Sequence, residues 1–145
     1  MGQSAGQRRS VLAGIELFAG IGDRELERLE RLGRRRHYAA GEAIVREGES
    51  GIALFAITSG RVRVSQRQAD GQERELRTIG PGGWFGEMAL FSNRRRSASV
   101  TALEPTECLA LHRLDFLDEL RKSPDVAIRL LDTLSQRLVD AQRPR

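Results

Sequence analysis

The chain has 145 residues, of which 39% are hydrophobic and 30% charged, and its formal net charge is +4. This length predicts one soluble domain with a core of its own, and every apolar stretch is far shorter than the roughly 20 residues that a membrane-spanning helix needs. The single cysteine, Cys108, excludes an internal disulfide and a thiolate metal cluster. We therefore expect a cytoplasmic protein with no membrane insertion.

The first elements in the chain are a tail and a helix. Residues 1–16 are predicted to form a flexible N-terminal segment, because the first ten are mostly small, polar or basic. Asp23 is a typical helix N-cap, and Gly33 is a typical helix stop. Between these two residues, leucines recur at helical spacing, at Leu26, Leu29 and Leu32. This pattern predicts a short amphipathic helix.

Two runs of arginine, at residues 34–36 and 94–96, suggest a nucleic acid or an anionic ligand as a partner. For the first run, solvated arginines are the favoured interpretation, because no aromatic residues interleave with it as single-strand binding would require. The second run belongs to a more informative segment.

From about residue 37 to residue 112 the sequence consists of short β-rich runs separated by glycines. The runs are residues 43–45, 52–57, 62–64, 76–79, 97–102 and 108–111. Short strands spaced by about 8–12 residues predict an antiparallel sandwich or barrel, and Asp70-Gly71 is a hairpin signal between two of them. The predicted fold class is α+β, with an antiparallel β-roll of jelly-roll type flanked by an N-terminal helix and two C-terminal helices.

The C-terminal helices are predicted at about residues 113–142. Phe116, Leu117 and Leu120 form a short apolar face, and Ser123-Pro124 interrupts the chain. The second helix begins at Asp125 and carries apolar residues in steps of four and three, at Ala127, Leu131, Leu134, Leu138 and Ala141. This seam fits a helix that packs on its own roll or a two-fold dimer. We favour the dimer, because Val126, Leu130 and Val139 add apolar surface.

The segment at residues 85–100 carries the chemistry. Gly86 lets the backbone approach a ligand closely. A helical turn that begins there, at residues 87–91, would present free N–H groups to an anion, and the Arg96 guanidinium can bind two phosphate oxygens at once. Glu87 beside that anion makes sense if it accepts a hydrogen bond from a sugar hydroxyl. The residues alone therefore indicate a nucleotide.

This segment resembles the phosphate-binding cassette of the cyclic-nucleotide-binding domain family, which includes catabolite-activator-like proteins and kinase A regulatory subunits. The resemblance rests on Phe85-Gly86-Glu87-Met88-Ala89-Leu90 and on Arg96-Ser97-Ala98-Ser99-Val100, at the family's spacing. Residues 41–49 and 57–64 resemble the family's early strands, so the similarity covers about residues 17–142. It implies a double-stranded β-helix and one domain at residues 17–145. Arg95 and Ile52 depart from the family pattern, which often has proline and an acidic residue there.

The resemblance also implies roles for individual residues. Glu87 should accept the ribose 2′-hydroxyl and Arg96 should pair with the cyclic phosphate, while backbone N–H groups near Met88, Ala89 and Ser97 complete the cradle. The predicted ligand-binding residues are Val64, Phe85, Gly86, Glu87, Met88, Ala89, Arg96, Ser97, Ser99 and Arg137. Val64 would line the purine pocket, and Arg137 or Gln142 would cap the base. Ser97 is compatible with cAMP and with cGMP, of which cAMP is favoured.

The implied mechanism is a lid. Phosphate binding would draw the turn at residues 87–91 toward the anion, so that Leu90 and Phe91 repack against Phe116 and Leu117. The final helix would then move over the purine, as a population shift driven by different contacts in the two states.

Other functions were weighed against this one. A metal-dependent enzyme on the same roll would need clustered ligands, but the two histidines, His37 and His112, are far apart in sequence. We therefore expect no enzyme, no metal and no cofactor beyond the ligand.

Direct DNA binding is not expected, because the chain ends at Arg145 with no helix-turn-helix after the last helix. Met1 and the polar tail favour a short stand-alone protein over a regulatory fragment of a transcription regulator, channel or kinase. A degenerate roll that binds only proteins is disfavoured by Glu87 and Arg96; the downstream protein partner is unknown.

Overall fold

A computed structural model of the protein describes residues 10–87 and 95–142. The strands in these ranges are β1 (Arg34–Tyr38), β2 (Ala43–Val45), β3 (Ala53–Ser59), β4 (Val62–Arg67), β5 (Glu73–Ile79), β6 (Trp84–Phe85), β7 (Ser99–Ala102) and β8 (Thr106–His112). The α-helices are α1 (Asp23–Leu32), α2 (Arg113–Lys122) and α3 (Pro124–Gln142). Each predicted β-rich run overlaps one of these strands, and the two C-terminal helices lie where they were predicted.

The strands form two antiparallel sheets that enclose a roll. One sheet has the order β1-β8-β3-β6 and the other β2-β7-β4-β5. The turn at Asp70-Gly71 joins β4 to β5, as predicted: Gly71 has a φ of 86°, and the backbone N–H of Gln72 donates to the Asp70 carboxylate at 2.9 Å. The predicted fold class, an α+β protein with an antiparallel β-roll, is confirmed.

The core has two parts, one on each face of the sheet that contains β3. Side chains alternate across a strand, so Leu54 and Ala56 pack toward the helices, whereas Phe55 and Ile57 point into the roll. On the helix side the core continues with Phe18, Leu29, Phe116, Val126 and Leu130. Inside the roll it continues with Val62, Val64, Phe85, Val100 and Cys108.

The N-terminal segment differs from the prediction. Residues 10–16, placed in a flexible segment by the sequence analysis, belong to the folded core. Val11–Gly14 and Glu16–Phe18 form 3-10 turns, and Leu12 is completely buried. The Ser10 hydroxyl accepts from the Leu12 N–H at 3.1 Å and donates to Glu30 of α1 at 2.6 Å. The prediction extended the polar composition of the first ten residues too far, into the buried apolar residues that follow them. Residues 1–9 lie outside the described ranges.

The outer helices follow the predicted pattern with small shifts. Helix α1 starts at Asp23, with Gly22 rather than Asp23 in the capping position, and buries Leu26 and Leu29. Helix α3 starts at Pro124, one residue before the predicted start. Its buried stripe is Val126 and Leu130. None of the described helices is long and apolar enough to cross a membrane.

The predicted seam of α3 is divided between two faces. Leu134 is partly buried against the core. Leu131 and Leu138 are 60% and 61% exposed, next to exposed Ile128 and Val139. One apolar face therefore packs into the helix-side core, and a second apolar face is open to solvent in a single chain.

Candidate ligand-binding site

A cavity of about 330 Å³ lies where β6, the start of β7 and the inner face of the second sheet meet. The sequence-predicted residues that line it are Val64, Phe85, Gly86, Glu87, Arg96 and Ser97. The structure adds Val45, Arg77, Arg95, Ala98 and Val100. Its volume is in the range of about 300–1,000 Å³ that small-molecule sites occupy.

Arg96 is half-buried at this cavity rather than solvated. Its Nη2 donates to the carbonyl oxygen of Ala53 at 2.9 Å, and its guanidinium carbon lies 5.8 Å from the centre of the Phe55 ring. Burial lowers the pKa of Arg96 from its ordinary value, and the nearby Glu87 carboxylate opposes that shift. Arginine remains charged in proteins, so the cavity holds a partly desolvated cation that an anionic ligand would stabilise.

Two glycines provide the space that Arg96 occupies. Gly86 has a φ of 87°, a left-handed conformation that L side chains rarely adopt. A Cβ there would come within 2.8 Å of the Ala53 carbonyl oxygen and would also press on Arg96 Nη1. At Gly51 a Cβ would collide with Nε of Arg96. Gly86 was predicted from its motif, but no local signal connects Gly51 with an arginine that follows much later in the chain.

Glu87 is held by the last helix. Its carboxylate accepts a hydrogen bond from Nη1 of Arg137 at 3.3 Å. The same guanidinium lies over the indole ring of Trp84, and its carbon atom is 4.5 Å from the ring centre. Arg137 borders a neighbouring cleft with Trp84 and stacks on that residue; that it caps a purine stays a prediction. Trp84, which the sequence analysis did not select, is thus the platform that orients Arg137 toward Glu87.

The remaining walls are apolar or backbone. Phe85 stacks on Phe55 with ring centres 5.0 Å apart and planes 10° apart, and Val64 is 4% exposed. Ser97 lies at the exposed rim, where its carbonyl oxygen accepts from Nε2 of Gln66 at 2.8 Å. Ser99 is not among the lining residues. Its hydroxyl accepts from the Glu47 N–H at 2.9 Å and so supports the rim from outside.

Part of the predicted cassette lies outside the described residues. Met88 and Ala89, predicted to bind the phosphate through their backbone, are in that part, as are Leu90 and Phe91, which the lid mechanism uses. Phe116, their expected packing partner, is buried against Phe18 with ring centres 6.3 Å apart.

The groups weighed for enzyme chemistry have structural contacts. Cys108 is buried, and burial raises the pKa of its thiol to about 12, with Glu107 adding to the shift. His112 caps α2 by accepting the Leu114 N–H at its Nδ1, 3.2 Å away, and His37 lies 3.5 Å from Glu107. Over residues 10–87 and 95–142, no group of three His, Cys, Asp or Glu side chains could hold a metal ion.

A β-roll with a half-buried arginine, a left-handed glycine and a carboxylate around one cavity defines a domain that binds a small ligand. The family model of the cyclic nucleotide-binding domain matches residues 35–123. The chain belongs to the cyclic-nucleotide-binding domain family, as its cassette predicted.

Similar proteins agree with this assignment. The "Cyclic AMP receptor protein" of Thermus thermophilus is 42% identical over 130 residues, which cover 90% of this chain and 60% of that protein. The "cGMP-dependent protein kinase, isozyme 1" of Drosophila melanogaster is 37% identical over 110 residues, 74% of this chain and 14% of that protein. Among solved structures, the N-terminal domain of a transcriptional regulator from Streptomyces coelicolor A3(2) superposes on this chain with a TM-score of 0.81 at 32% identity. The superposition covers 91% of this chain and 92% of the solved chain. The chain therefore spans well under the full length of the first two relatives.

Proposed function

We propose that the protein is a cyclic-nucleotide sensor that prefers cAMP to cGMP and couples ligand binding to the position of α3. The observation that carries the proposal is the convergence of Gly86, Glu87 and Arg96 on one cavity. The preference for cAMP is supported by the 42% identity with a protein named for cyclic AMP, against 37% with one named for cGMP.

The chemistry of the cavity matches the three parts of such a ligand. The cyclic phosphate carries one negative charge, which the half-buried Arg96 guanidinium would neutralise through charge-assisted hydrogen bonds. The ribose hydroxyl would donate to the Glu87 carboxylate, which lines the same cavity. The purine would lie against apolar wall residues such as Val64 and Val100.

Coupling to α3 is supported by the contact between Arg137 and Glu87. Because Arg137 already binds the carboxylate that a ribose would use, the ligand changes the partners available to α3. A ligand can shift the position of the helix only by the difference between its contacts in the two states, and this shared carboxylate provides such a difference.

We also propose that α3 forms a homodimer and that the chain acts as a binding protein without enzymatic activity or cofactor. The dimer is supported by four exposed apolar residues on α3, namely Ile128, Leu131, Leu138 and Val139. Absence of catalysis is supported by the structural contacts of His37 and His112. Action in the cytoplasm stays a prediction of the sequence.

The test is isothermal titration of the full chain with cAMP and with cGMP. We expect cAMP to bind more tightly, and Arg96→Ala to weaken cAMP binding more than tenfold, since removing one partner of a buried charge pair costs about 2–5 kcal/mol. Arg74→Ala, on exposed β5, is the matched control and should bind as the wild type does. Wild-type affinity in Arg96→Ala would reject the proposal.

The partial coverage of the Thermus protein favours a second candidate, in which this chain is the regulatory part of a larger transcription regulator. An immunoblot of source cells with an antibody to the purified chain distinguishes the two. A band near 16.2 kDa, the mass of the chain, supports the stand-alone sensor, and a band near the size of a full regulator supports the second candidate.

A further inference from the structure

A second cavity, of about 460 Å³, lies on the other side of Arg96. It opens between β1 and β2, the strands at one edge of each sheet. Val45 and Arg96 line both cavities. The stacked rings of Phe55 and Phe85 stand between the two, with Phe55 facing the second cavity and Phe85 the first.

The arginine run at residues 34–36 is divided by the pleat of β1. Arg34 pairs across the sheet with Ala110, which pairs in turn with Phe55 of β3. Directly opposed residues share a face, so Arg34 and Arg36 project toward the inside of the roll and line the second cavity. Arg35 projects to the outer face, where its Nη1 donates to Glu107 at 3.1 Å.

The two inward arginines form no ion pair with any residue that the structure describes. Among residues 10–87 and 95–142, ion pairs engage Arg35 but neither Arg34 nor Arg36. The cavity as a whole is lined by three guanidinium groups, including that of Arg96, against two carboxylates, of Glu49 and Asp115. Its excess charge is therefore positive.

Part of the lining of the same cavity is apolar. Tyr38, Ile44, Val45 and Phe55 form its floor, and Phe55 is 8% exposed. Ile52 stands at the mouth with 57% of its surface exposed. An apolar floor beneath a positively charged rim is complementary to a molecule with an apolar body and an anionic end.

We propose that this cavity is a second binding site, specific for a small organic anion with a carboxylate at one end and an aromatic or short aliphatic body. The carboxylate binds Arg34 and Arg36 at the rim, and the body packs on Tyr38 and Phe55. The volume is within the range of about 300–1,000 Å³ typical of small-molecule sites, and charge complementarity selects an anion over a neutral compound.

The test is titration of the full chain with octanoate as the carboxylate probe and 1-octanol as its neutral counterpart. We expect saturable binding of octanoate and much weaker binding of octanol. Arg36→Gln should weaken octanoate about tenfold, because a hydrogen bond to a charged group is lost. Arg35→Gln, one residue away on the opposite face, is the matched control and should retain octanoate binding.

A second variant and a second ligand make the result decisive. Arg34→Gln should weaken octanoate as Arg36→Gln does, while thermal melting of both variants stays close to that of the wild type, because both residues are exposed. Affinity for cAMP should be unchanged in both, which separates this site from the first. Absence of saturable octanoate binding, equal loss in the Arg35 control, or octanol binding as tight as octanoate would each overturn the inference. These outcomes do not depend on cAMP binding, so failure of the sensor proposal is recognised separately.

Discussion

At the scale of single residues, the site depends on how two opposite charges share one small space. Arg96 is fixed by the Ala53 carbonyl and by two glycines that leave room for it, while Glu87 is drawn toward Arg137 rather than toward Arg96. This separation matters, because a direct Arg96–Glu87 pair would neutralise the cation before a phosphate arrived. The contact with Arg137 therefore engages the Glu87 carboxylate away from the Arg96 guanidinium.

The role of Glu87 can be measured by its amide variant. Glu87→Gln should weaken cAMP binding by about fivefold, less than Arg96→Ala does, because the amide oxygen can still accept a hydrogen bond from the ribose. Titration calorimetry against the wild type measures the change, and Glu75→Gln on exposed β5 is the control. A loss equal to that of Arg96→Ala would show that the carboxylate does more than hold the sugar.

Much of this local chemistry was predictable. Gly86, Glu87 and Arg96 were selected by residue type and spacing, and they do line one cavity. Gly51, Ala53 and Trp84 were missed, because each acts on a residue remote in sequence and carries no motif of its own. Ser99 was selected for its place in the cassette, but on an alternating strand its hydroxyl points to Glu47 instead.

At the scale of elements, α3 reaches the lining of the cavity through one side chain. Val126 and Leu130 bury one face of the helix in the helix-side core, and Arg137 joins its later turns to Glu87 and Trp84. The buried residues of the helix, Val126 and Leu130, are both in its first half. We therefore expect a single polar contact near the cavity to affect the position of the second half.

Hydrogen exchange tests this coupling. Backbone amides of α3 should exchange more slowly when cAMP is bound, because the ligand adds contacts around Glu87 that favour one helix position. Mass spectrometry of peptides from residues 125–142, with and without cAMP, measures the effect.

Helix α1, which shares the helix-side core but contributes no residue to the lining of the first cavity, is the internal control and should change little. Identical exchange of residues 125–142 in both states would show that α3 does not respond to the ligand, and the lid mechanism would then be wrong.

At the scale of the whole molecule, the outer face of α3 carries an exposed apolar stripe. Ile128, Leu131, Leu138 and Val139 are between 49% and 62% exposed on this one helix. A second copy of the same helix would bury the stripe through an isologous contact, in which the same surface is used by both chains.

The assembly can be tested by changing that stripe. We expect the wild type to sediment as a dimer and the double variant Leu131→Glu, Leu138→Glu to sediment as a monomer, because opposed carboxylates repel and lose the apolar contact. Leu114→Glu, an equally exposed leucine on α2, should leave the dimer intact. Sedimentation velocity at micromolar concentration decides, and a monomeric wild type would refute the dimer.

The sequence by itself determined the order of elements, the hairpin at Asp70-Gly71, the break before α3 and three residues that line the first cavity, because these depend on local spacing and on a contiguous motif. Only the tertiary structure decided which face each arginine of β1 occupies, that residues 10–16 join the core, and that Arg137 meets Glu87 from 50 positions away. Such contacts are set by strand register and by packing between elements. Their partners are therefore brought together by the completed fold and by nothing in the local sequence.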